Sequence, residues 1–149
     1  VYKITFKEEG TMREILVRGN RYKDGLFAFG DLCNGIYGIT YIDDIQVYPE
    51  TVGQFTGLTD KNGKEIYEGD IMIHRNDGFR FVIEWHKSAN IGCNGGEYGC
   101  EVNGFVPARI LDGTTKIDDY GNCETAYCRL LEGDVEVIGN IHDNPELLK

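Results

Sequence analysis

The feature that most constrains this chain is the spacing of its glycines, which fall one after another between short apolar runs along nearly the whole length. Glycine accounts for 20 of 149 residues and proline for 3. That is about double glycine's usual share, and glycine punctuation of this kind means many turns and short elements. Between the turns the pattern alternates with period two. Phe79, Phe81, Ile83 and Trp85 fall on one face of a strand, with Arg80, Val82, Glu84 and His86 on the other. Ile71 and Ile73 alternate with Met72 and His74 in the same way. Further strands are expected at Glu14–Arg18, Leu26–Phe29, Tyr37–Tyr41, Ile45–Tyr48, Phe105–Leu111 and Ala126–Leu131. No long segment carries a 3.6-residue period, so the predicted class is mainly β.

Three local signals refine this reading. Asp60-Lys61-Asn62-Gly63 separates Phe55–Leu58 from Lys64–Tyr67, and an Asn-Gly pair tolerates the positive φ of a tight hairpin turn. Asn144-Pro145 places a capping side chain before a proline at the first helical position, which predicts a short terminal helical turn over Pro145–Leu148. An internal echo joins Glu68-Gly69-Asp70 to Glu132-Gly133-Asp134, each followed by alternating branched residues. Each copy reads as a turn that launches a strand, the Asp bonding back to nearby amides. The alternative is that Asp70 and Asp134 form a carboxylate pair.

Fifteen Lys and Arg against 25 Asp and Glu give a net charge of −10. Phosphate neutralisation drives nucleic-acid binding, so a chain this acidic is a poor partner for nucleic acid unless its cations gather on one face. Six of them lie in the first 24 residues against four acids, which makes that segment +2 and the remainder −12. No run approaches the ~20 consecutive apolar residues of a membrane span. Five cysteines without a hydrophobic leader fit a reducing cytoplasm better than a secreted disulfide framework.

Common catalytic signatures are absent or misspaced. Gly57 to Lys64 is no phosphate loop, because five residues separate its glycines and Glu65 follows the lysine. As a calcium loop, Asp60 onward fails because Lys64 and Glu65 occupy the positions of an oxygen ligand and the required glycine. Cys93, Cys100, Cys123 and Cys128 are candidate zinc ligands, yet six and four residues separate the pairs where two to four are usual. Gly92, Gly95, Gly96 and Gly99 would let that loop fold back, so a zinc quartet or a Cys93–Cys100 disulfide stays open beside the plainer reading of free thiols. Cys33 reads as a small apolar side chain. His86 shares a face with Glu84, which reads as a hydrated pair sooner than as acid–base machinery. No catalytic residue and no cofactor is expected. Tyr37, Tyr41 and Tyr48, with Phe27 and Phe29, are cross-strand core pairs or, where exposed, candidate interaction residues.

The blocks VGQFTGLTDKNGKEIYEGDI (Val52–Ile71) and VEVIGNIHDNPELL (Val135–Leu148), with the opening MREILVRGNRYKDGLFAFGDLC (Met12–Cys33), resemble the YopX family of phage and prophage proteins. The resemblance implies a small, mostly β protein with an SH3-like barrel and an unassigned biochemical role, and it brings no catalytic residues. The expected organisation has four parts. Residues 1–11 are an alternative start or a cloning-derived leader, 12–50 form a strand-rich N-terminal segment, 51–149 form the barrel, and about 87–129 are a Gly-rich, acidic insertion on it. The expected function is a non-enzymatic interaction or scaffold module in the bacterial cytoplasm that binds itself and a phage or host protein. The alternatives are a nucleic-acid-associated protein using the basic N-terminal segment, and a small metal-dependent hydrolase.

Overall fold

A computed structural model describes residues 15–93, 98–116 and 133–149. The chain is mainly β. Its strands are β1 (Val17–Asn20), β2 (Phe27–Gly30), β3 (Leu32–Asn34), β4 (Thr40–Ile42), β5 (Ile45–Val47), β6 (Gly53–Thr59), β7 (Glu65–Tyr67), β8 (Asp70–His74), β9 (Arg80–Cys93), β10 (Tyr98–Leu111), β11 (Thr114–Lys116) and β12 (Val135–Asn140). They form three antiparallel sheets, ordered β2-β1-β6-β7, β11-β10-β9-β8-β12 and β3-β4-β5. The first sheet ties the N-terminal segment to β6, through Val17↔Gln54 and Arg18↔Gly53. Among the described residues no helix is long and apolar enough to cross a membrane.

The Asp60–Gly63 turn forms as its sequence predicts. The Oδ1 of Asp60 accepts the amides of Asn62 (2.8 Å) and Lys64 (2.9 Å), and Gly63 takes φ +79°. Two apolar clusters sit beneath the sheets. One gathers Val17, Ala28, Ile42 and Val47; the other gathers Ile66, Met72, Phe81, Ile83, Val135 and Val137.

No sheet among the described residues closes into a barrel. The four- and five-stranded sheets approach along β7 and β12, where Ile66 packs with Val135 and Val137 but no backbone ladder joins the two strands among the described residues. Lys61 N–H, in the turn before β7, donates to the Val135 carbonyl at one end (3.0 Å), and at the other Ile141 N–H extends the β8–β12 pairing to the Gly69 carbonyl (2.9 Å). Between those points the donors that a ladder would use are taken by side chains. Val137 N–H goes to Oδ2 of Asp60 (3.1 Å) and Tyr67 N–H to Oδ2 of Asp70 (2.8 Å). A register shift between Val137 and Gly139 adds a bulge at the same level. The seam therefore stays open as a slit.

Other expectations meet corrections. Tyr37 does not begin a strand: Ile36–Gly38 is a short 3-10 turn in which Tyr37 takes φ +71° and stands almost fully in solvent. Val82 and Ile83, on opposite faces of the strand, are both buried, whereas Trp85, on the same face as Phe81 and Ile83, is 53% exposed. Alternation assigns faces without saying where along a strand the cover stops. Here β8 ladders with β9 only at Arg80, Phe81 and Val82. Pro145–Leu148 is the expected helical turn, but Asn144 does not cap it; its Oδ1 turns back to accept the Asn140 amide (3.3 Å).

The described residues between 87 and 116 are largely strand. β9 and β10 pair from Phe81↔Arg109 to Cys93↔Tyr98, with an irregularity between Val102 and Gly104. β11 covers only Arg109 to Leu111. From Glu84 outward the ribbon is two-stranded among the described residues, roughly 30 Å of β structure at ~3.3 Å per residue. Residues 117–129, with the strand expected at Ala126–Leu131, lie outside the described residues.

Candidate functional site

The slit between the sheets is built around a buried ion pair. Arg18 on β1 and Asp70 at the head of β8 have side chains 7% and 1% exposed, and Nη2 of Arg18 donates to Oδ1 of Asp70 at 2.5 Å. Gly69 makes this possible, since its φ of +81° folds Asp70 back onto the Tyr67 amide. The guanidinium lies over two rings, 4.6 Å from the Phe27 centroid and 4.9 Å from that of Tyr67. Aromatic faces are negative at their centres, so both rings and the carboxylate favour the cation where water is scarce. Burial raises the Asp70 carboxyl above its ordinary value, while the Arg18 charge and the Tyr67 amide pull the other way. The Tyr67 phenol donates to Oε2 of Glu65 (2.7 Å), and burial together with that carboxylate keeps it protonated well above the usual tyrosine range.

Around the pair opens a cleft of about 420 Å³. Phe27, Phe29 and Tyr67 form one wall and Val137–Asn140 the other, with Lys64 and Glu65 at the rim. Phe29 meets Tyr67 edge-on at 5.7 Å and Phe27 at 6.0 Å. The C-terminal loop is tied to the first sheet below the cleft: Asp143 accepts Nδ2 of Asn20 on one oxygen and Nδ2 of Asn140 on the other, each at 2.9 Å.

The structure distributes the sequence-derived candidates unevenly. Tyr37 stands alone at its turn, Tyr41 is half-buried on β4, and Tyr48 stacks on Tyr22 with centroids 4.8 Å apart. Phe27 and Phe29 belong instead to the cleft with Tyr67, so the expected aromatic group is dispersed. Asp70 and Asp134 do not form a pair. Asp70 is opposite Asn140 at one end of the β8–β12 ladder, and Asp134 precedes Val135, which is opposite His74 at the other. His86 does bond Glu84, Nε2 to Oε2 at 2.8 Å, with both side chains partly in solvent. Cys33 is exposed on β3, against its reading as apolar filler. Cys93 is in register with Tyr98 in the ladder and Cys100 with Ile91, while Cys123 and Cys128 lie outside the described residues. Of the basic N-terminal cations described, Arg18 is buried and Arg21 is held by both oxygens of Asp24 at 2.9 and 2.8 Å.

Sequence reasoning misses Arg18 as a site residue, placing it with the surface cations. A signal exists: it stands beside Val17 in a strand pattern, and the first Glu-Gly-Asp copy offers a turn carboxylate in search of a donor. Nothing along the chain links the two across 52 positions.

No curated protein matches this chain. A family model described as YopX protein matches residues 31–149, most of the chain and the part that supplies Lys64, Tyr67, Asp70 and the C-terminal wall of the cleft, and the chain belongs to the YopX family.

Proposed function

We propose that this protein is a non-enzymatic assembly module of phage or prophage origin that works by pairing the β9–β10 ribbon with that of a second copy. The observation that carries the reading is the ribbon's two-stranded outer part. An isolated two-stranded ribbon is marginal in water, and open strand edges template pairing with another chain. A two-fold contact between identical edges satisfies both at once. Trp85 supports it: 53% exposed and edge-on to Phe105 with centroids 5.2 Å apart, it places a large aromatic surface at the ribbon's base. On this reading the open β7–β12 seam is where an SH3-like barrel would close, and the ribbon is the elaboration that gives this member its own contacts.

The test is light scattering on the full chain across a concentration series. A species of twice the monomer mass is expected. Replacing residues 88–103 with a two-residue Asn-Gly turn converts it to monomer, and Trp85→Ser weakens it by about tenfold or more. A wild-type chain that stays monomeric at about 100 μM overturns the proposal.

A further inference from the structure

The chemistry of the cleft points to a ligand class. Its carboxylates already have donors, Asp70 from Arg18 and the Tyr67 amide, and Glu65 from the Tyr67 phenol. Its cations have capacity to spare. A guanidinium carries five N–H groups, and among the described residues Arg18 donates to Asp70 alone. Lys64, exposed at the rim, has no ion-pair partner among the described residues. The unspent hydrogen-bonding power is thus cationic donor. A cationic ligand would meet Arg18 and Lys64, and the places over Phe27 and Tyr67 are already taken by Arg18 itself. Phe29, 54% exposed, leaves ring surface available for stacking beside these donors. The volume of about 420 Å³ falls in the range of small-molecule sites, roughly 300–1,000 Å³, and is too small for a folded partner.

We propose that the cleft between β7 and β12 binds a small ligand in which a flat unsaturated ring carries an acidic group, the chemistry shared by a nucleoside monophosphate and an aromatic carboxylate. The ring stacks on Phe29, and the acid is held by Lys64 at the rim and the remaining N–H groups of Arg18. This site is separate from the ribbon, so its test reads alike on monomer and dimer.

Isothermal titration of the full chain decides it, with AMP, UMP and 4-hydroxybenzoate as probes and adenosine and inorganic phosphate as the two halves of the chemistry. Saturable one-to-one binding is expected for at least one acidic ring compound, with each half about tenfold weaker or worse. Binding of AMP and UMP without 4-hydroxybenzoate assigns a phosphate-bearing ligand, and the reverse assigns a carboxylate; either supports the proposal. Lys64→Gln, at an exposed position that leaves the thermal midpoint in place, weakens the acidic probes by about fivefold, and Phe29→Ala weakens them by about tenfold. No binding of any acidic probe at millimolar concentration overturns the proposal. So does adenosine binding as tightly as AMP, or an affinity that neither variant moves.

Discussion

The seam and the ribbon are both places where β structure stops short of a full sheet, and they stop for opposite reasons. At the seam the strand edges are occupied: Asp60 and Asp70 take the amides of Val137 and Tyr67, and Arg18 answers Asp70 from the facing sheet. Along the outer ribbon, cross-strand pairing is local and no third strand joins it among the described residues. The bonds that tie the seam across the sheets join residues 52 to 123 positions apart, whereas the ribbon pairs residues 5 to 28 positions apart. An edge closed by side chains leaves a cavity with chemistry in it; an edge left open leaves a surface. That contrast is why the ligand proposal falls on the one and the assembly proposal on the other.

The sharpest way to break the comparison is to remove the carboxylate that closes the seam. Asp70→Ala leaves the Arg18 charge buried without its partner and costs about 3–5 kcal/mol of folding stability, read from urea denaturation. A loss under about 1 kcal/mol would mean that water already reaches the pair and that the seam is no more closed than the ribbon. Next comes close approach of backbones. A Cβ at Gly53 would sit 2.5 Å from the Glu68 carbonyl, so Gly53→Ala costs about 1–3 kcal/mol by prising β6 from the start of the β7–β8 turn.

The smallest effect is the most diagnostic of burial. Tyr67→Phe removes the bond to Glu65 and costs about 0.5–1.5 kcal/mol at neutral pH. The phenol of Tyr67 ionises later in the folded chain than in the unfolded one. As pH rises past about 10, the unfolded chain gives up this proton first and stability falls. Urea midpoints at pH 8 and 11 should therefore drop further for the wild type than for Tyr67→Phe. Equal drops would place the phenol in solvent.

Legibility in the sequence divides along the same line. Alternation locates most of the strands, and the Asn62-Gly63 pair locates the hairpin turn, because these signals reside in neighbouring residues. Where the core ends is a property of neighbours far along the chain, which is why alternation alone does not separate exposed Trp85 from buried Phe81 and Ile83 on the same face. By composition Tyr37 begins a strand, and only the backbone around Gly38 shows it turned into the left-handed region. The two Glu-Gly-Asp copies show the limit most plainly. Both launch strands, yet one aspartate anchors the cleft and the other accepts a surface bond from Asn76, a difference written in Arg18 and not in the motif.

Asp60 holds its own turn with one oxygen and the last strand with the other, 77 positions later. A ribosome therefore delivers the hairpin long before the segment it must clasp. Until residue 137 emerges, that second oxygen faces water, and the cleft has only one of its walls. A copy terminated before residue 137 would carry the hairpin and the ribbon while lacking the place where a ligand could settle.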